Sequence, residues 1–208
     1  VSILWLAGRL LMAVPLLTPV LSATVDAAFL VAVAGLVWRE IAVVKSWSHA
    51  PIGGLISLYA CANIVFHVLA LSGAATDRPE RMALALVMVL LALIGGRVTP
   101  NFTREFLAGQ GMAEQPASFS RFDGLSVLLV VIAAVAWIVQ PHAMVTGWLF
   151  LSSGVFNVGR LLRWYGWLTW REPLVLILNL GYGWLALSLL ILGSAILWLD
   201  LPPADAVH

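Results

Sequence analysis

The chain has 208 residues, of which 62% are hydrophobic and only 10% charged, with a formal net charge of +1 and a mean hydropathy of +1.01. A composition this apolar exceeds what a soluble domain needs to fill its core, so it excludes that class and points to an integral membrane protein. The near-zero charge selects no partner, nucleic acid is not expected, and the single cysteine, Cys61, cannot form an intrachain disulfide.

A hydrocarbon slab roughly 30 Å thick asks for about 20 apolar residues per helix. Stretches of that length recur along the chain, and they are too long and continuous for the alternating strands of a barrel. The expected fold class is therefore all-α, a polytopic transmembrane helix bundle in a single domain. It has about seven spans, near 2–22, 24–44, 51–71, 81–101, 124–140, 142–163 and 173–195. Only "LSATVD" divides the first two, and its Asp26 is expected to cap the second helix. The third span begins at "HAPIGG" and ends at "LSGAATDRPE", where Pro79 suits the first turn of the next helix. The one long polar connection, "LAGQGMAEQPASFSRFDG", links spans four and five. The chain starts at Val1, directly in apolar sequence, so a portion of a longer protein is expected.

Positively charged connections favour the cytoplasmic side of a membrane. Arg39, Lys45, Arg97, Arg104, Arg121, Arg160, Arg163 and Arg171 follow spans two, four and six, whereas Arg78 and Arg81 lie on the other side. With seven spans, that asymmetry places the N-terminus in the cytoplasm and the acidic tail "LDLPPADAVH" outside.

Ionisable and amide side chains inside a membrane are expensive, about 2.5 to 3.5 kcal/mol for a central arginine on insertion scales, so each requires a partner or a purpose. Arg9 lies in span one, Asn63 and His67 in span three, Arg97 and Asn101 at the end of span four, Asn157 and Arg160 in span six, Asn179 and Tyr182 in span seven. Spacings of three and four put both members of a pair on one helix face. Arg9, Arg97, Asn101, Asn157, Arg160, Asn179 and Tyr182 fall in the cytoplasmic half, which suggests a cationic, amide-lined cavity able to hold a cofactor or small anion. Snorkelling of the arginine stems to the headgroups is the competing reading.

Trp5, Trp38, Trp47, Trp164, Trp167, Trp170 and Trp198 lie near span ends, where indoles anchor at the interface, and "RLLRWYGWLTWREP" reads as a basic, aromatic interfacial segment. In the stretch "IGGRVTPNFTREF", Gly95 and Gly96 permit close approach. Pro100 is expected to kink or end the helix and free carbonyls for a polar cavity. His67 is the one histidine well inside a span, with a metal-ligand role open to it beside a simple hydrogen-bonding one.

Several stretches, in order, resemble the NnrS family of polytopic bacterial inner-membrane proteins. These are "WLAGRLLM" at 5–12, "NIVFH" at 63–67, "GGRVTPNFT" at 95–103 and "PLVLILNLGYGWLALSLLILG" at 173–193. The resemblance implies haem and copper as cofactors and a part in the response to nitric-oxide stress. Carried over residue by residue, it points to Arg9, His67, Arg97, Pro100, Thr103 and Tyr182. Of these His67 is the metal-ligand candidate, and the arginines could pair with haem propionates. Asn179 stands where the family resemblance calls for a histidine, and an amide does not replace imidazole as a ligand.

Two other functional classes fit the residues: a small-anion channel or transporter lined by Arg97 and Arg160, and a structural or assembly subunit with no ligand of its own. The expected partners are the lipid bilayer and haem or a small anion.

Overall fold

A computed structural model describes residues 2–13 and 18–198. The described residues are mostly helical, with no strand among them. In order they form α1 (Ser2–Ala13), α2 (Pro19–Val44), α3 (Ala50–Ser72), α4 (Asp77–Leu90), a π-helical turn (Leu91–Gly95), α5 (Gly96–Gly109), α6 (Arg121–Val139), α7 (Met144–Leu162) and α8 (Pro173–Trp198). Short 3₁₀ turns occupy Trp47–His49 and Gly166–Thr169.

Each of the seven apolar stretches contributes helix, but five are long and apolar enough to cross a membrane: Pro19–Val44, Trp47–Ser72, Asp77–Gly109, Arg121–Val139 and Pro173–Trp198. The other two fall short for different reasons. Helix α1 is 12 residues as described, and the 19 residues of α7 include Asn157 and Arg160, which lower its hydropathy. The division expected at "LSATVD" is corrected too. Thr18 takes the extended backbone of an N-cap and Pro19 opens α2, so Asp26 lies two turns inside the helix rather than at its start.

The chain falls into two compact units, Val1–Leu86 and Val87–His208, with the division inside α4. In the first unit α2 packs against both α1 and α3. Gly8 permits the α1 contact, because a Cβ there would lie 3.2 Å from the Asp26 Cα. Trp38 Nε1 donates to Ser57 Oγ at 2.9 Å and ties α2 to α3.

In the second unit α7 packs against α6 and, most extensively, α8, while α8 also meets α5 and the π turn. Backbones come close where α7 crosses α8: a Cβ on Gly193 would stand 2.8 Å from the Leu151 nitrogen. Leu174, Ile177, Leu180 and Trp184 of α8 are exposed, an apolar face suited to lipid. Of the two outcomes expected at Pro100, a kink or an end, the helix does not end there. Pro100 sits inside α5, which runs on to Gly109, and the reason lies in what happens to the carbonyls around it.

Candidate functional site

The polar centre of the second unit begins at a helix cap. Ser120 precedes α6 in extended conformation, and its backbone N and Oγ donate to Asp123 Oδ2 at 2.9 and 2.8 Å. This capping box holds the Asp123 carboxylate in one orientation at the start of α6, with its other oxygen turned to α7.

On α7, Ser153, Asn157 and Arg160 are spaced four and three apart, and all three are at most 1% exposed. Arg160 Nε donates to Asp123 Oδ1 at 3.0 Å. Its Nη1 donates to Tyr182 Oη at 2.7 Å and to the Ala92 carbonyl at 3.1 Å, and its Nη2 donates to the Gly96 carbonyl at 3.1 Å.

Both carbonyls lie where the helix beside Arg160 is interrupted. Pro100 has no N–H to offer the carbonyl four residues back, which is that of Gly96. Ala92 lies in the π-helical turn Leu91–Gly95, where the ladder changes between π and α bonding. Arg160 supplies donors to both. Gly96 makes room for it: a Cβ there would overlap the guanidinium.

Tyr182 extends the network from α8. Its hydroxyl accepts from Arg160 and donates to Asn157 Oδ1 at 2.6 Å, while Asn157 Nδ2 donates to the Ser153 carbonyl at 2.8 Å. The Trp164 and Tyr182 rings lie 4.6 Å apart, and the guanidinium carbon is 5.6 Å from the Trp164 ring centre. Arg163, half-buried, adds an Nη1 contact to Asp123 Oδ2 at 3.2 Å. A buried charge stripped of water costs several kcal/mol, roughly, unless it is paired and its remaining donors are bonded, and both conditions are met for Arg160.

One turn away, Asn179 Nδ2 donates to Thr103 Oγ1 and to the Val175 carbonyl, each at 3.0 Å, and Thr103 Oγ1 donates in turn to the Thr99 carbonyl at 2.9 Å. Asn179 therefore links α8 to α5, and its buried Oδ1 has no partner among the described residues.

A separate cluster lies in the first unit. Asp26 Oδ2 is 3.1 Å from His67 Nε2 and accepts from Asn63 Nδ2 at 3.2 Å. Here a carboxylate on α2 satisfies two polar groups on α3, and His67 is buried.

Of the expected site residues, Asn157, Arg160 and Tyr182 meet directly. Asn179 is bonded to Thr103, and Asn101 is exposed, its Oδ1 accepting from Arg104 at 3.3 Å. Arg97 does not point inward: it is exposed, with no hydrogen bond or ion pair among the described residues. Arg9 is exposed on α1 and His67 is paired with Asp26, both in the first unit. Trp164 departs from its expected interfacial role, being 2% exposed beneath the network, whereas Trp5, Trp38, Trp47, Trp167, Trp170 and Trp198 are exposed.

Sequence reasoning missed Asp123 and the role of Asp26. The "SRFD" spacing at 120–123 was the available signal, a capping-box pattern with an acidic residue at the third helical position.

Five apolar helices of spanning length among the described residues, with the buried Arg160 ion-paired to the buried Asp123, make this a multi-helix membrane protein. It belongs to the NnrS family: the family model described as NnrS protein matches residues 1–208, essentially the whole chain. No curated protein and no solved structure matches it.

Proposed function

We propose that this protein acts in the bacterial inner membrane in the response to nitric-oxide stress. The observation that carries the reading is the family match over residues 1–208. Deleting the gene should slow growth in the presence of a nitric-oxide donor and leave growth without it unchanged, with rescue by the gene in trans. Equal growth of deletion and parent strains under the donor overturns the reading.

Haem and copper belong to this proposal at the level of the family, and not to a centre built by the described residues. Nε2 of His67, the buried imidazole, already faces Asp26 at 3.1 Å. Asn179, where the resemblance calls for histidine, presents an amide whose nitrogen is engaged by Thr103 and Val175. Among the described residues no group of three or more His, Cys, Asp or Glu side chains gathers as a metal site. Among the described residues, His67 and Asn179 as they are bonded do not make a ligand pair for either cofactor. An absorption spectrum and metal analysis of the purified protein beside His67→Ala tests this point alone. A Soret band or stoichiometric copper that vanishes with His67 would establish a centre at this residue.

The alternative of an anion path lined by Arg97 and Arg160 gains no support from the network. Arg160 spends its charge on Asp123 and its donors on Tyr182, Ala92 and Gly96.

A further inference from the structure

Beside the network, within the second unit, an open groove of about 360 Å³ is bounded by Pro100, Asn101, Arg104, Ser118, Asp123 and Trp164. Two charged groups face it, and they differ in one respect. Asp123 is matched: Arg160 holds one oxygen at 3.0 Å, and Arg163 with Ser120 holds the other. Arg104 is not.

Arg104 is half-buried and makes only neutral contacts, Nη1 to Asn101 Oδ1 at 3.3 Å and Nη2 to the Pro116 carbonyl at 3.1 Å. It forms no ion pair with any carboxylate among the described residues, although Glu105 is its neighbour in sequence. These two contacts fix the plane of the guanidinium at the groove wall and leave further N–H donors, together with the Asn101 amide NH₂, for a ligand. A planar cation held in position by neutral acceptors is suited to an oxyanion, which it can meet with parallel hydrogen bonds.

We propose that this groove is an oxyanion-binding site, with Arg104 as the charged anchor and Asn101 as the second donor, the buried Trp164 forming its floor. The shared chemistry is a phosphate group, either free inorganic phosphate or the headgroup phosphate of an anionic phospholipid. Asp123 does not oppose it, because its charge is already offset by two guanidinium groups. The site is independent of the proposed role in nitric-oxide stress and stands or falls separately.

The test uses the whole chain in nanodiscs. One arm has zwitterionic lipid titrated with inorganic phosphate; the other has a small, increasing fraction of phosphatidylglycerol and no free phosphate. Binding is followed by phosphorus NMR and by native mass spectrometry. Saturable binding in either arm is expected, weakened about tenfold or more by Arg104→Gln. Arg104→Lys should retain part of it, Asn101→Leu should lose part, and Arg39→Gln should leave it unchanged. The arm that saturates identifies the source of the phosphate. Unfolding temperatures of the variants are compared with the parent, so that a fall in binding is read only from folded protein. If Arg104→Gln proves unfolded, Arg104→Lys and Asn101→Leu carry the comparison. No saturable binding in both arms, or binding that neither Arg104 nor Asn101 variants weaken, overturns the proposal.

Discussion

Arg160 Nε and Asp123 Oδ1 lie 3.0 Å apart, joining α7 to the first turn of α6 with both side chains at most 5% exposed. Asp123 also caps α6, so one carboxylate sets the start of a helix and neutralises the charge inside its neighbour. The arginine in turn donates to two carbonyls of an interrupted helix, one of which, that of Gly96, faces a proline with no N–H to offer it. Cap, ion pair and helix interruption are thus mutually dependent, and separate substitutions should expose that dependence.

Tyr182→Phe removes a hydroxyl that accepts from Arg160 and donates to Asn157. Both partners are fully buried, so the loss should exceed that of a surface hydrogen bond and reach about 1 to 3 kcal/mol. Denaturant unfolding in detergent micelles checks it, and a variant as stable as the parent would mean the hydroxyl is not bonded as described.

Gly96→Ala places a methyl where the guanidinium lies. Its cost should resemble that of disrupting Arg160 itself, because the neighbour in the way is the centre of the network rather than a flexible tip. Gly181→Ala, with nothing within 4 Å of its added carbon, should be neutral or stabilise α8 by up to about 1 kcal/mol through helix propensity. Similar thermal shifts in the two variants would count against a close Gly96–Arg160 approach.

Pro100→Ala restores an N–H able to donate to the Gly96 carbonyl in competition with Arg160. The substitution should therefore stabilise the protein more when Arg160 is already Met than when Arg160 is present. A double-mutant cycle measures the difference, and strict additivity would show that the two residues do not share that carbonyl.

Asp26→Ala leaves His67 and Asn63 without their common acceptor and should cost about 1 to 3 kcal/mol, whereas Asp26→Asn, which keeps an acceptor oxygen, should cost less. Thermal melts of the two variants give the order, and an equal or reversed order removes Asp26 from its place between them.

Much of this was legible in the sequence because membrane helices advertise themselves by length and hydropathy, and because polar residues inside them are few. Asn157 with Arg160 at one spacing, and Tyr182 three beyond Asn179, marked the inward faces of α7 and α8. The glycine pair and Pro100 marked an interrupted helix with carbonyls to spare. Sequence spacing could not say which arginine would take them. Arg97 shares a helix with those carbonyls, and its own backbone carries it outward, while Arg160 reaches them from another helix. Nor could it distinguish Trp164 from the exposed Trp167 and Trp170 of the same basic, aromatic run, since burial there depends on how the chain turns after α7. Asp26 resembles a cap in sequence, but Pro19, seven residues earlier, is the residue that opens α2.

The most direct measurement of the central claim is a double-mutant cycle on Arg160 and Asp123, using Arg160→Met and Asp123→Ala in the whole chain. Asp123→Ala alone leaves a buried guanidinium unpaired and removes the α6 cap, and should cost about 3 to 5 kcal/mol. Adding Arg160→Met should recover a large part of that loss, giving a coupling of about 2 kcal/mol or more for an ion pair in contact. Additive losses, with no recovery in the double variant, would contradict the pairing on which the site is built.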